Sequence, residues 1–285
     1  MTLKDALSSA IQHLKANHVG SPRLNAETLL MFALARNRAY LYAHPEQELS
    51  PADEDRYREL INERARGKPS QYITGHQEFW GLDFIVTPAV LIPRPETEHV
   101  VETVLELARA KPGCKLVDVG TGSGCIALAL AKELPRAEVH ACDISAEALE
   151  VAGINAARLE LDARVRFHQS DLLSSFEARP QFDFVVCNPP YVGTAEPEKV
   201  QRQVREFEPK LAVFSGQTGL EIYPRLIVQA RQALHPGGWL VMEIGYSIEG
   251  QVCSLLNGWS EIRVIPDLQG IPRVVASRLA SINAR

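Results

Sequence analysis

Apolar residues in the first part of the chain recur at helical spacing. Leu7, Ala10, Ile11 and Leu14 fall three and four positions apart, the signature of one buried helix face. Ser21-Pro22 and Ser50-Pro51 each pair an N-cap residue with proline at the first helical position. Between them Leu29, Leu30, Phe32, Ala33 and Leu34 form a strongly apolar helix, and the segment closes at Gly67-Lys68-Pro69. The pattern predicts a small helical bundle over residues 1–67. Residues 71–92 change character: aromatic and β-branched residues dominate, with Gly81 in the middle. They read as a β-hairpin, so 68–94 is a linker between two domains. The run PRPETE at 93–98 then starts a helix near Glu96.

From about residue 114 the pattern alternates. Apolar runs at 115–119, 139–142, 165–168, 182–187 and 239–244 read as strands. Helical periodicity covers 123–133, 146–159, 219–234 and 248–256. Strands alternating with helices imply an α/β fold, a parallel sheet covered on both faces. The last two strands, near 260–266 and 273–278, are separated only by DLQGIP. They predict an antiparallel hairpin at one end of the sheet. Residues 95–285 are thus expected to form one catalytic-type domain.

Composition narrows the function classes. The chain has 285 residues, 46% hydrophobic and 23% charged, ordinary values for a soluble globular protein. A net charge of -5 and a pI near 5.9 argue against a protein held to nucleic acid mainly by phosphate contacts. Residues 1–70 carry ten Lys/Arg and nine Asp/Glu. That balance suits a bundle that recognises a protein partner, or a structural cap, better than one that binds a duplex. Five scattered cysteines without a CxxC fit a reducing cytoplasmic setting. No metal-ligand spacing is evident, so no metal site is expected. Neither export nor membrane insertion is expected, because no targeting pattern and no long apolar run occur.

The first chemical signal is VDVGTGSGCIALAL, residues 117–130, which runs strand, glycine loop, helix. Gly120, Thr121, Gly122, Ser123 and Gly124 stand where open α/β sheets bind ligands. A dinucleotide fingerprint would need glycine at position 125, where Cys125 stands, and the ending of a phosphate loop is missing. Asp143 closes the second strand and is placed to accept both hydroxyls of a ribose. A ribose ligand without a pyrophosphate points to S-adenosylmethionine. A nicotinamide enzyme, or a plain strand-to-helix turn, remains the competing reading.

The second signal is FDFVVCNPPYVG, where a buried strand runs straight into Asn188, Pro189, Pro190 and Tyr191. The Asn188 side chain offers an acceptor oxygen, and consecutive prolines aim a carbonyl stiffly because φ is fixed at both. Tyr191 supplies a flat face for a planar group. Together they suit a planar substrate bearing an –NH2 group, with each N–H accepted by the Asn188 oxygen or the Pro189 carbonyl. Such a nitrogen is an amide or an exocyclic amine. A proline stop at a strand end is the bland alternative.

GTGSG with NPPY resembles the class I methyltransferases that act on amide or exocyclic amino nitrogens. PSQYITGHQEFWGLDFIVTPAVLIPRPETE, VREFEPKLAVFSGQTGL and the final DLQGIPRVVASR resemble the PrmC (HemK) family, the N5-glutamine methyltransferases of peptide-chain release factors. The resemblance implies a Rossmann-like S-adenosylmethionine-dependent sheet and methylation of the Gly-Gly-Gln glutamine on its side-chain amide. S-adenosyl-L-homocysteine would be the product. It implies that Gly120 to Gly124 and Asp143 bind the cofactor, with Asn188 near both ligands and Asn188 to Tyr191 at the substrate amide. Asp171 would sit near the adenine. An aromatic residue often follows that Asp in the family, whereas Leu172 stands here. The family's helical domain contacts the release factor. A monomer with no direct nucleic-acid or membrane contact is expected.

Three readings stay open on residues alone: the release-factor enzyme, an adenine-N6 methyltransferase on nucleic acid, and a non-catalytic cofactor-binding adaptor. A glutamine methyltransferase of a ribosomal protein is a close rival of the first. Arg94 and Glu96 belong to a motif of the PrmC (HemK) family but have no assigned chemistry; a surface salt bridge and a helix N-terminus explain them nearly as well. Phe79, Trp80 and Phe84 either line an entry for the glutamine or form hairpin core, the commoner fate of aromatics. Phe207, Glu208 and Pro209 are expected in a loop beside the pocket.

Overall fold

The computed structural model describes residues 1–195 and 200–281. It begins with helices α1 (Leu3–Ala16), α2 (Pro22–Leu34), α3 (Arg38–Ala43), α4 (Pro51–Ala65) and α5 (Ser70–Thr74). A hairpin of β1 (His76–Phe79) and β2 (Leu82–Ile85) follows, then a 3-10 turn at Pro95–Thr97 that leads into α6 (Glu98–Ala108). Next come β3 (Lys115–Val119), α7 (Cys125–Glu133), β4 (Glu138–Asp143), α8 (Ala146–Arg158), β5 (Val165–Gln169) and β6 (Phe182–Cys187). The short helices α9 (Arg202–Phe207) and α10 (Lys210–Val213) precede α11 (Ile222–Ala233), β7 (Leu234–Glu243), α12 (Glu249–Leu255), β8 (Glu261–Pro266) and β9 (Pro272–Arg278).

The chain divides into two compact units. The first joins Met1–His76 with Gln201–Phe207, and the second holds the remaining described residues. In the first, Leu3, Ala6, Ala10 and Leu14 of α1 pack with Ala26, Leu29, Leu30 and Ala33 of α2 and with Tyr57 and Ile61 of α4. Ser50 caps α4 by accepting the Asp53 N–H, as the Ser-Pro pattern predicts. Ser21 precedes α2 but makes no side-chain cap bond; its φ of +48° is not the extended backbone a capping side chain needs. Arg64 is 6% exposed and ties α9 to this unit. Its Nε donates to Asn25 Oδ1 at 2.7 Å and its Nη2 to Gln203 Oε1 at 2.9 Å. Gln201–Phe207 therefore joins the helical unit, although it lies within the stretch read from sequence as the sheet domain.

The second unit is built on a seven-stranded sheet of order β5-β4-β3-β6-β7-β9-β8. The strands from β5 to β7 run parallel, and β9 is antiparallel to both β7 and β8. That is the α/β sheet with terminal hairpin the sequence predicts. One face packs Val100, Val101 and Val104 of α6 and Ile126, Leu128 and Leu130 of α7. The other packs Tyr223, Leu226, Ile227 and Ala230 of α11 and Val252 of α12. Strand order reverses between β3 and β6, so ligands are expected outside the carboxyl ends of these strands.

Local differences from the sequence reading have physical causes. Residues 70–74 are helical rather than strand, because Pro69 stands at the N-cap and left-handed Gly75 closes the turn. The hairpin is correspondingly shorter. Phe79 and Phe84 are buried in the core with rings 6.2 Å apart, so they are packing residues and do not line an entry. Phe207 ends a helix, and only Glu208 and Pro209 lie between α9 and α10. Among the described residues, no helix is long and apolar enough to cross a membrane.

Candidate active site

β3 delivers the glycine loop. The N–H groups of Gly120 and Thr121 both donate to the Cys142 carbonyl, at 2.8 and 2.9 Å, which turns the chain sharply after Val119. Gly122 has φ +55°, a left-handed backbone that glycine adopts without strain. A Cβ at Gly120 or Gly122 would meet nothing within 4 Å, so the loop backbone is bare on its outer side. Gly124 serves packing instead: its Cβ would press within 3.1 Å of Leu128 and 3.3 Å of Ala152. Thr121 and Ser123 are buried.

Two carboxylates hold this loop. Asp118 is fully buried and accepts from Thr121 Oγ1 at 2.6 Å and from the Ala127 N–H at 3.2 Å. Burial pushes its carboxyl up to about 7, against the pull of both hydrogen bonds and with a further push from Asp143. Asp143 is half-buried. One of its oxygens accepts the Gly122 N–H at 2.9 Å and the other the Ser145 N–H at 3.0 Å. A carboxylate has about four acceptor positions, so Asp143 keeps capacity for further donors such as ribose hydroxyls.

Strand register sets the rest. Val119 pairs with Cys142 on one side and with Cys187 on the other. Gly120, Asp143 and Asn188 are the next residues along three neighbouring strand ends, so the two sequence motifs meet at one edge of the sheet. Asp171 follows β5, and its Oδ2 accepts from Arg225 at 2.6 Å. Leu172 has φ +53°, an uncommon backbone for a bulky side chain. Flanking bonds hold it: Cys142 Sγ donates to its carbonyl at 3.2 Å, and the Leu173 N–H donates to Gln229 Oε1 at 2.7 Å.

Beyond β6 the polar groups form a chain that the sequence did not reveal. Asn188 Nδ2 donates to Thr97 Oγ1 at 3.0 Å. Thr97 donates in turn to Glu243 Oε2 at 2.6 Å. Tyr191 donates its phenol hydrogen to Glu243 Oε1 at 3.3 Å. Glu243 is 1% exposed and Thr97 2% exposed. Burial pushes the Glu243 carboxyl up to about 7; its two hydrogen bonds and Arg273 pull it down, and Glu96 pushes it up. Burial and the neighbouring Glu243 also push the Tyr191 phenol up. The Tyr191 ring is clamped, since a Cβ on Gly245 would come within 2.8 Å of it. Pro189 is buried and Pro190 half-buried. Val192 is pinned by its N–H to the Val213 carbonyl at 3.1 Å and by its carbonyl to the Ser215 N–H at 2.9 Å.

PRPETE supplies the frame around this chain. Arg94 Nη2 donates to Glu208 Oε1 at 2.5 Å, and the Ile92 N–H donates to Glu208 Oε2 at 3.3 Å. Glu208 is almost wholly buried, so the pair is not a surface salt bridge, and the expectation for Arg94 is corrected accordingly. Glu98 Oε1 accepts the Trp80 N–H at 2.8 Å and fixes the hairpin turn. The sequence did carry a faint signal for Glu243, an acid ending the apolar run WLVM. Nothing local marks Thr97 as its partner. Among the described residues no cluster of His, Cys, Asp or Glu is arranged to hold a metal ion.

The comparisons agree along the chain. Residues 5–75 match the family model "PrmC N-terminal domain", and residues 98–208 match "Methyltransferase small domain". A release factor glutamine methyltransferase of Koribacter versatilis is 58% identical over 278 residues, covering 98% of this chain and 99% of its own. Its namesake from Moorella thermoacetica is 47% identical over 277 residues, covering 96% and 97%. Among solved structures, the hMettl16 catalytic domain in complex with an RNA hairpin is similar in fold, with a TM-score of 0.57 at 17% identity. It covers 78% of this chain and 83% of that one. A methyltransferase from Pyrococcus furiosus gives a TM-score of 0.51 at 18% identity, covering 79% and 98%.

Proposed function

The chain belongs to the release factor glutamine methyltransferase family, and on that premise we propose the roles of its residues and the substrate glutamine. The enzyme transfers a methyl group from S-adenosylmethionine to the side-chain amide of a release-factor glutamine. We take the target to be the glutamine of the Gly-Gly-Gln motif. The juxtaposition of Asn188–Tyr191 with the glycine loop across adjacent strand ends carries this reading.

The bare backbone of Gly120 and Gly122 and the spare acceptor capacity of Asp143 fit a nucleoside with a free ribose diol. The cofactor, when bound, supplies an electrophilic methyl group and leaves as S-adenosyl-L-homocysteine. Gly120, Thr121, Gly122, Ser123 and Gly124 form its cradle, Asp143 accepts the ribose hydroxyls, and Asp171 and Leu172 lie toward the base. Asn188 Oδ1 and the Pro189 carbonyl each accept one N–H of the substrate amide, and Tyr191 packs beside it. An amide nitrogen is a poor nucleophile because its lone pair is delocalised. Holding both hydrogens turns the nitrogen's face to the methyl donor, and the acceptors stabilise positive charge as it develops. As the N–CH3 bond formed and the S–CH3 bond broke, one N–H proton would be released to solvent.

The test mixes the purified protein, S-adenosylmethionine and a full-length release factor, and reads the mass of the Gly-Gly-Gln peptide. One added methyl on that glutamine is expected. An unmodified glutamine, with methyl appearing instead on adenine of added RNA or DNA, would overturn the substrate assignment. Asp143→Ala is expected to weaken S-adenosylmethionine binding roughly ten- to thirty-fold by calorimetry, the loss of charge-assisted hydrogen bonds. Unchanged affinity would remove Asp143 from the ribose.

The helical unit is the proposed contact for the release factor, consistent with its balanced charge. Action as a monomer, in the cytoplasm and without direct nucleic-acid contact, completes the reading. Release factors are its partners there.

A further inference from the structure

Resting on the assignment of Asn188 to the substrate amide, we propose that Thr97 and Glu243 are positioning residues that lock the Asn188 side chain with its oxygen facing the substrate. An asparagine amide has two ends of nearly equal shape and opposite hydrogen-bonding sense. Only one orientation accepts an N–H from a glutamine amide. The reversed orientation would present –NH2 to –NH2 and bind nothing.

The hydrogen-bond chain removes that freedom. An ionised Glu243 is acceptor-only, and its two oxygens take the Thr97 hydroxyl and the Tyr191 phenol. Thr97 has one hydrogen, and it is committed to Glu243. The Thr97 oxygen can therefore only accept from Asn188, and Nδ2 is the donor it meets at 3.0 Å. Oδ1 is left for the substrate. The Thr97–Glu243 link sits where solvent is excluded, since the two residues are 2% and 1% exposed.

Protonation would undo the lock. A neutral Glu243 can donate to Thr97, whose hydroxyl is then free to turn to Asn188 Oδ1 and reverse the amide. Burial pushes the Glu243 carboxyl up to about 7, so the exchange is expected near neutral pH. The groups facing it are Glu96 from the 3-10 turn, Tyr191 beyond β6, Arg273 of β9 and Tyr223 of α11, with the thiols of Cys125 and Cys187. Arg273 is itself paired with Asp267 at 2.9 Å. Methyl transfer is thus expected to fall as pH drops through the Glu243 titration.

The experiment measures kcat/KM for methyl transfer to a full-length release factor across pH 5.5–9, with cofactor affinity and melting temperature in parallel. Thr97→Val is expected to lower kcat/KM roughly ten- to a hundred-fold with cofactor affinity unchanged, the scale of one buried network lost. Thr97→Ser keeps the hydroxyl and is expected to stay within about three-fold of wild type. Glu243→Gln is expected to lose the acid limb of the profile, because the group that titrates is gone. Equal losses in Thr97→Val and Thr97→Ser, or an acid limb unchanged in Glu243→Gln, would overturn the positioning role. If Asn188→Ala retains activity, the failure lies instead with the placement of Asn188 at the substrate. If Thr97→Val does not fold, the Thr97→Ser and Glu243→Gln profiles decide.

Discussion

Replacing Asn188 by alanine is expected to lower methyl transfer by about a hundred- to a thousand-fold while cofactor affinity and melting temperature stay close to wild type. The side chain stands at the end of β6, half-buried, with Nδ2 on Thr97 and its oxygen without a partner among the described residues. Truncation removes the acceptor proposed to touch the substrate amide. It also removes a donor from Thr97, but Thr97 still donates to Glu243, so only one acceptor position is left empty. An unfilled acceptor of that kind costs about 1 kcal/mol, too little to unfold the domain. Asn188→Asp makes a sharper companion. It keeps an acceptor of the same shape but sets a second carboxylate beside the Thr97–Glu243 pair, and two nearby carboxylates resist joint ionisation. Transfer in that variant is expected to be low as well, and lowest at high pH. Single-turnover methyl transfer and cofactor calorimetry separate the outcomes. Near-normal transfer by the alanine variant, or a loss matched by an equal loss of cofactor affinity, would take Asn188 away from the substrate.

Much of this site is legible in the sequence because its two motifs are each local. A glycine loop after an apolar run, and an Asn-Pro-Pro-Tyr stop after another, need only a few consecutive residues to be seen. That they meet follows from sheet order, and the alternating pattern implies a parallel sheet with a reversal point. The terminal hairpin was visible for the same reason: DLQGIP is too short for a crossover helix. The supporting chain was not legible. Thr97 and Asn188 lie 91 residues apart, and Thr97 and Glu243 lie 146 apart. Neither spacing nor periodicity links residues that only the tertiary fold brings together. The short helices were missed on different grounds. α3, α9 and α10 have six, six and four residues, too few for a hydrophobic period to repeat. At α5, β-prone Tyr72 and Ile73 yield to the proline and glycine that bracket them.

Arg94 carries the second large effect, on stability. Arg94→Ala is expected to destabilise the second unit by about 2–4 kcal/mol, because removing one member of a buried ion pair strands the other. Its partner Glu208 has a side chain only 1% exposed. Without the guanidinium, that carboxylate keeps, among the described residues, the Ile92 N–H at 3.3 Å. Arg94 itself is 28% exposed, so water can enter the gap it leaves, and the loss falls short of the full cost of a sealed pair. A fall of roughly 5–10 °C in melting temperature follows for a domain of this size. Glu208→Gln is expected to lose less, since its amide oxygen still accepts from one of the two neighbours and no buried carboxylate is left without its cation. The double variant Arg94→Met with Glu208→Leu is expected to recover much of the stability, as apolar replacements of buried pairs often do. Transfer is not expected to recover with it. The pair fixes the chain just before Thr97, and on its other side the segment leading through α10 to the Val213 carbonyl that holds Val192. It therefore braces Asn188–Tyr191 from both directions. A melting temperature unchanged in Arg94→Ala would mean that Glu208 finds another partner. Full transfer by the stable double variant would mean that the brace is not needed for the site.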